Sequence, residues 1–213
     1  KADIESLIPE GKALSRRVQD YIMNEIRKNY LKDPEIYADG DKAAPRQKNL
    51  PGDIEVYNDL ISRYVAKVLN EEKDRTPFLY ISSEHRKKLS LLELKGSDGH
   101  SFRFNLNYQI DRIDRYSDQD VTDVNNGPQH WPLRIIDYKT GGDTTSISMI
   151  EEMFDNNSSK GRAKAILQLF LYAQGYAAEK HLTNEPIQLW IFPVKAFEPK
   201  SLRPVSIDEN PLV

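Results

Sequence analysis

The segment "RIIDYKTGG", from Arg134 to Gly142, runs from apolar residues into an aspartate, an aromatic residue, a lysine and two glycines. The paired isoleucines suit an interior strand, and the glycines suit a turn at its end. Residues two apart in a strand share a face, so Asp137 and Lys139 point the same way with Cα atoms about 6.6 Å apart. Taken alone, the pair is explained by a salt bridge, which contributes at most about 1 kcal/mol when exposed.

A second charged strand is predicted earlier in the chain, in "YQIDRIDR" from Tyr108 to Arg115. Strand alternation puts Asp111 on one face together with Ile113. Arg112 and Asp114 take the other face. An aspartate flanked by isoleucines is poorly placed as an ordinary surface charge, which makes Asp111 a candidate for chemistry.

The two strands are expected to be neighbours, joined by a hairpin from Ser117 to Pro132, so that Asp111 and Asp137 converge at one end of the sheet. Two carboxylates brought that close repel each other, and a divalent cation is the usual remedy. A few oxygen ligands, completed by waters, suit Mg²⁺ or Mn²⁺. The alternative is that Asp111 pairs with Arg112 or Arg115 on the strand surface, and the spacing alone leaves both interpretations open.

The regions on either side predict an α/β chain. Apolar spacing predicts helices from Lys12 to Tyr30 and from Ile54 to Leu69, joined by a loop rich in Pro, Gly and Asp. After Thr76, the segments "FLYISSE", "HRKKLSLLELK" and "HSFRFNLNYQIDRIDRY" predict three antiparallel strands. Beyond a long connection at residues 140–160, a helix is predicted in "GRAKAILQLFLYAQGYAAEK", then a last strand in "PIQLWIF" and an irregular tail.

Lys164, Gln168 and Tyr172 lie at i, i+4 and i+8 of that helix, on a stripe beside its apolar face. One interpretation is a mixed stripe at the boundary of the sheet contact. The other is that Gln168 and Tyr172 hold a water or a phosphate oxygen, since both offer donors without competing charge. Near a metal, Lys139 can orient or deprotonate a water, as phosphodiester hydrolysis requires.

Composition limits the possible classes. The 213 residues suffice for one sizeable folded core, and 38% hydrophobic with 30% charged residues is ordinary for a globular protein. The absence of cysteine excludes disulfides, thiolate zinc sites, iron–sulfur clusters and cysteine nucleophiles. No run approaches the roughly 20 apolar residues of a membrane span, so we expect no membrane partner and a cytoplasmic location. A net charge of -3 leaves room for a local basic groove.

The motifs "YQIDRID", "IIDYKTG" and "LQLFLY" stand in the order and approximate spacing of the PD-(D/E)XK nucleases. The chain most resembles the RecB/AddB-type branch of that family, which shows a G-x-I-D-R-I-D strand, a D-Y-K-T-G strand and a Q-x-x-x-Y helix. The resemblance spans Leu79 to Tyr176, and the combination of three motifs is specific. It implies a restriction-endonuclease-like core with a mixed central β-sheet flanked by helices, over residues 76–213, preceded by a helical region over residues 1–75.

The resemblance also implies the roles of the strand residues. Asp111 and Asp137 would be metal ligands, joined by the backbone carbonyl of Tyr138, and Lys139 would be the catalytic lysine. Glu84, expected just ahead of the central strands, matches an acidic position of the family. A structural salt bridge explains Glu84 equally well.

On the helix, Gln168 and Tyr172 match the motif with which the family positions DNA or the active-site water. Together with Lys164 and Thr140 they are expected to contact nucleic acid. Two departures stand out: the glycine usual before the first aspartate is Tyr108, which we expect to crowd the substrate. In addition, many members carry a G-x-x-x-H helix, and the comparable segment here, Gly11 to Ser15, ends in serine; either the histidine helix lies upstream of Lys1 or the protein lacks it.

The expected function is that of a Mg²⁺-dependent deoxyribonuclease, with Mn²⁺ as substitute, in the exonuclease part of a DNA-repair helicase-nuclease. Because the chain opens with Lys1, we expect a fragment of a longer protein that works with a larger chain or a partner subunit. Without the family's histidine ligand and with a net charge of -3, we expect the fragment alone to bind metal weakly and to cleave DNA weakly. The alternative is an inactive module of the same fold that binds DNA or scaffolds such a complex. A nucleotide-binding protein is disfavoured because the chain has no G-x-x-x-x-G-K-[ST] loop. Strand preference, cleavage polarity and oligomeric state stay open.

Overall fold

The computed structural model describes residues 2–9, 14–32, 52–117, 127–141, 144–154, 163–195, 202–207 and 210–211. The chain divides into two compact units, Lys1–Thr76 and Pro77–Val213. None of the described helices is both long enough and apolar enough to cross a membrane.

The first unit is helical. Helix α1 spans Ala2–Leu7, α2 spans Arg16–Ile26 and continues as a π turn over Arg27–Leu31, and α3 spans Gly52–Lys73. The helices share a small apolar core formed by Ile8, Leu14, Ile22, Ile26 and Ile54.

Both predicted helices of this unit are present, with two differences. Helix α2 begins at Arg16 and not at Lys12, because Ser15 has an extended backbone (ψ 153°) at the N-cap. Helix α1 was not predicted from the sequence, whose polar opening gives little apolar periodicity. Most of the predicted loop between α2 and α3, residues 33–51, lies outside the described residues.

The second unit is built on a mixed sheet. Among its described residues five strands pair in the order β1 (Phe78–Lys95), β2 (Ser101–Tyr116), β3 (Leu133–Lys139), β5 (Ile187–Pro193) and β6 (Arg203–Pro204). Strands β1, β2 and β3 are antiparallel neighbours, β3 and β5 are parallel, and β6 returns antiparallel to β5. Helix α4, Lys164–Lys180, lies between β3 and β5 in the chain, as a parallel pair requires. The predicted α/β fold with a mixed sheet is therefore confirmed.

Several predicted boundaries were wrong. The segments predicted as two strands before β2 form the single strand β1, whose register with β2 shifts between Tyr80 and Ser82 and between Lys87 and Ser90. Such bulges let one long strand stay paired while it bends. The predicted irregular tail contains β6 as well as short strands β7 (Ser206–Ile207) and β8 (Asn210–Pro211). Strand β7 pairs with β4 (Ser146–Ile147) on one side and with β8 on the other.

The main core lies between the sheet and helix α4. Its buried members include Ile113, Ile135, Ile166, Leu169 and Ile191. As predicted, the apolar stripe of α4 faces this core. Ile110 also belongs to it although it lies three residues before Ile113, so the strict alternation of faces along β2 is broken between them.

Tyr108 is part of the same core and does not occupy open space near a substrate. It is 4% exposed, and its hydroxyl donates a 2.6 Å hydrogen bond to Glu179 of α4. The ring fits because residue 175 is a glycine: a Cβ there would lie 2.6 Å from a ring carbon of Tyr108. The expectation that Tyr108 crowds the substrate is therefore wrong, because its ring is buried against helix α4.

The other face of the sheet holds a buried group of charges. The carboxylate of Asp114 accepts two hydrogen bonds from the guanidinium of Arg134, at 2.8 and 2.9 Å, and lies 2.6 Å from Arg112. Asp114 and Arg134 have no exposed surface and are direct partners across β2 and β3. The guanidinium of Arg134 also lies 4.4 Å from the ring centre of Tyr116. This ion pair therefore fixes the register of the two strands.

We expect Asp114→Asn to lower the free energy of unfolding by about 3–5 kcal/mol, because it removes the carboxylate charge that two buried guanidinium groups share. Glu93→Gln is the matched control on the neighbouring strand pair β1–β2, since Glu93 pairs with the largely exposed Arg103 and its loss should cost no more than about 1 kcal/mol. Urea unfolding of both variants measures the difference. Equal losses would show that the buried pair does not stabilise the sheet.

Glu179 gives a pH-dependent prediction. Burial alone would raise the pKa of its carboxyl, but hydrogen bonds from Tyr108, Lys180 and His85 outweigh burial and lower the pKa to about 2. A depressed carboxyl pKa stabilises the fold above the unfolded value of 4.5, and that stability is lost as the pH falls through the folded value. Glu179→Gln should therefore lower the melting temperature at pH 7, with the gap to the wild type narrowing toward pH 3. A gap independent of pH would contradict this assignment.

Candidate active site at the ends of strands β2 and β3

The end of the β2–β3 pairing brings two aspartates together. Arg112 lies opposite Ile136, so the next pair in the same antiparallel register is Asp111 with Asp137. The ladder changes beyond the Arg112–Ile136 pair: the backbone N–H of Tyr138 donates a 2.8 Å hydrogen bond to Oδ2 of Asp111. The side-chain carboxylate of Asp111 therefore accepts the hydrogen bond that a backbone carbonyl of a strand partner would accept. This bond holds the Asp111 side chain at the end of the sheet.

The environment of Asp111 raises the pKa of its carboxyl. Partial burial is the largest cause, and the charges of Asp137 and Glu84 act in the same direction. The hydrogen bond from Tyr138 and the charge of Lys139 oppose them without cancelling the shift. The carboxylate of Asp111 is thus repelled by both Asp137 and Glu84, which is costly without a compensating cation.

Lys139 links the sheet to helix α4. Its ammonium lies 2.7 Å from Oδ2 of Asp137 and donates a 2.7 Å hydrogen bond to Oε1 of Gln168. The amide nitrogen of Gln168 in turn donates to the hydroxyl of Tyr172, one turn further along the helix. Gln168 therefore joins the polar stripe of α4 to the charged end of strand β3, and its amide nitrogen also bonds to Tyr172.

The side chain of Tyr138 points away from this cluster. Its hydroxyl accepts a 3.3 Å hydrogen bond from Arg112, and its ring lies 5.7 Å from that of Phe192, centre to centre. Only the backbone of Tyr138 lies among the candidate site groups. The predicted alternative pairing of Asp111 with Arg112 or Arg115 has no support, because those side chains bond to Asp114 and Glu185.

Glu84 occupies an unusual position in the middle of strand β1, and not ahead of the strands as expected. Its φ of 52° lies in the left-handed region, which non-glycine residues seldom adopt. The exposed carboxylate accepts a hydrogen bond from Gln109 and lies 3.8 Å from Arg86. Strained backbone of this kind is concentrated at functional sites, and here it stands beside Asp111.

The other residues predicted to contact nucleic acid, Lys164 and Thr140, lie on the surface. Lys164 is exposed at the first residue of α4, and Thr140 is exposed directly after β3. Gln109, which no motif marked, is drawn to the site by its bond to Glu84. A sequence signal for Gln109 existed only in its position two residues before Asp111.

The oxygen atoms at the strand ends fit a hard divalent cation. Asp111 and Asp137 offer carboxylates and Tyr138 a carbonyl, and like charges crowd around the same point. Within the described part of the chain, no group of three or more His, Asp or Glu side chains is arranged to hold a metal. The donor set therefore suits a cation that keeps several of its waters.

The model of the PD-(D/E)XK nuclease superfamily matches residues 5–211 of the chain. Nucleases of this superfamily generally use divalent metal ions. None of the curated proteins compared with the chain matches it.

We expect Asp111→Asn to stabilise the metal-free protein by about 0.5–2 kcal/mol, because it removes one of several repelling charges while an amide oxygen still accepts from Tyr138. Asp114→Asn, three residues along the same strand, is the matched comparison and should act in the opposite direction. Unfolding in urea with a chelator present measures both. A comparable loss in the two variants would mean that Asp111 is a structural ion-pair partner.

Proposed function

Because the chain belongs to the PD-(D/E)XK nuclease superfamily, we propose that it hydrolyses DNA phosphodiester bonds at the Asp111–Asp137 strand ends with a divalent cation, Mg²⁺ or Mn²⁺. The observation that carries the proposal is the position of the Lys139 ammonium, 2.7 Å from both Asp137 and Gln168. A structural salt bridge would not need a second, uncharged partner from another element.

The proposed division of labour follows from the contacts. Asp111, Asp137 and the carbonyl of Tyr138 would hold the cation, which supplies Lewis acidity at the scissile phosphate when bound. Lys139 orients the attacking water and stabilises negative charge that develops on the phosphate. Gln168 fixes the direction of the ammonium from the helix side.

Tyr172 completes this arrangement from one turn further along the helix. Its hydroxyl accepts from the Gln168 amide nitrogen, so the amide oxygen of Gln168 is left facing Lys139. The pair therefore acts as a positioning device for the lysine. Lys164 and Thr140, both exposed beside these residues in sequence, are proposed to contact the DNA backbone.

The finer assignment rests on the motifs. The segments "IDRID" and "DYKTG", followed by Gln168 and Tyr172, support the RecB/AddB-type branch, and with it an exonuclease role in a DNA-repair helicase-nuclease. Such an enzyme would degrade linear duplex or single strands and leave closed circular DNA intact. Incubation of both substrates with the chain and Mg²⁺ or Mn²⁺ tests this: nicking of the circle would indicate endonuclease action.

We expect Lys139→Met to lower kcat by about 10²–10⁴-fold, because it removes a group that acts in the transition state. The affinity for DNA should change little, but the melting temperature should fall below that of the exposed-site control Lys95→Met, because the buried carboxylate of Asp137 loses the ammonium beside it. Single-turnover cleavage and fluorescence anisotropy measure the two quantities. Unaltered cleavage by Lys139→Met would show that the lysine only forms a salt bridge. If the wild type binds DNA but does not cleave it with Mg²⁺ or with Mn²⁺, the inactive module is favoured.

A further inference from the structure

Strands β1 and β2 continue beyond the sheet as a two-stranded ribbon, residues 85–95 and 101–110. The pairing of β2 with β3 covers only Arg112 to Arg115, whereas the pairing of β1 with β2 runs on to Lys95 and Ser101. The ribbon therefore begins where Asp111 and Glu84 lie. Its outer strand β1 is an edge of the sheet.

Three consecutive cations, Arg86, Lys87 and Lys88, stand at the base of this ribbon. All three are exposed, and the side chain of Arg86 is 69% exposed. Arg86 lies opposite Gln109, whose amide donates to Glu84. Arg86 is thus one cross-strand contact away from Glu84 at the candidate site, and Lys87 and Lys88 follow it along the strand.

These charges are neutralised weakly within the part of the chain that the structure describes. Arg86 reaches Glu84 only at 3.8 Å, and no described residue forms an ion pair with Lys87 or Lys88. By contrast, Arg103 on the same ribbon pairs with Glu93 at 3.2 Å. Edge strands do carry lysines that discourage aggregation, but that need does not require them beside a cluster of carboxylates.

Electrostatics gives the segment a specific use. The site must accept a polyanion although Asp111, Asp137 and Glu84 repel it, and the whole chain has a net charge of -3. Attraction must then come from cations placed close to the carboxylates. Arg86, Lys87 and Lys88 are placed there, on the terminal strand of the sheet as the described residues form it.

We propose that Arg86, Lys87 and Lys88 bind phosphates of the DNA backbone next to the scissile bond, so that the base of the ribbon holds the strand across the site. The proposal rests on the nuclease function argued above, and it extends that function to substrate positioning. Phosphate contacts of this kind fix register without reading sequence.

The test compares two variants that each change lysine charge on strand β1. Lys87→Gln/Lys88→Gln removes two of the proposed contacts, and Lys95→Gln removes a cation seven residues further along the strand, about 23 Å away. Binding of a fluorescent duplex is measured by anisotropy over a series of NaCl concentrations. The Lys139→Met background prevents cleavage during the measurement.

The double variant should reduce the slope of log K against log salt by about two, since each lost phosphate contact contributes about 0.9. In the cleaving background it should raise KM with little change in kcat, and Lys95→Gln should change neither quantity. Arg86→Gln, made separately because it also touches Glu84, should reduce the slope by about one. Matching melting temperatures show that all variants fold.

The two proposals fail in different ways. Cleavage by the wild type with an unchanged salt slope in the double variant would overturn the phosphate contacts and leave the nuclease proposal intact. A reduced slope without cleavage by the wild type would support the contacts and overturn the nuclease proposal. An equal effect of Lys95→Gln would show general charge attraction, and would overturn the specific role of the ribbon base.

Discussion

The buried ion pair between Asp114 and Arg134 is the constraint on which the candidate site depends. The two residues face each other across β2 and β3, so their bidentate contact admits one register only. A shift by one residue would turn every side chain of the strand to the other face and would expose Ile113 and Ile135. The same register, continued three pairs further toward the end of β3, places Asp111 opposite Asp137.

Such a pair stabilises the fold only because its charges are well satisfied. Removing two ions from water costs several kcal/mol each, and the cost is recovered only with good geometry and further contacts. Arg134 has two hydrogen bonds to Asp114 and the ring of Tyr116 beside it, while Arg112 approaches the same carboxylate. The rigid strand end that results can hold the nearby carboxylates in an arrangement they would not adopt freely.

Much of this arrangement was predictable from local patterns. The apolar residues of "YQIDRIDR" and the apolar run before Asp137 were sufficient to predict the strands, and the apolar spacing from Ile166 to Ala177 was sufficient to predict the helix. The roles of the site residues stay predictions. The buried role of Arg134 was not predictable, since an arginine at the start of a strand resembles a surface residue until its partner is known. Tyr108 presents the same difficulty: its partner Glu179 lies 71 residues further along the chain.

The charges at the site also explain why Lys139 has two partners. In the protein alone, its ammonium compensates Asp137, which is only 4% exposed and would otherwise be a costly buried anion. Gln168 holds the same ammonium from helix α4, and the bond from Gln168 to Tyr172 keeps the amide oxygen turned toward it. Asp137 lies on strand β3 and Gln168 lies on helix α4. If another cation took the place of Lys139 beside Asp137, the hydrogen bond to Gln168 would therefore still hold the ammonium in place. The lysine can therefore act as a countercharge in one state and as a catalytic group in the other without a change in the fold.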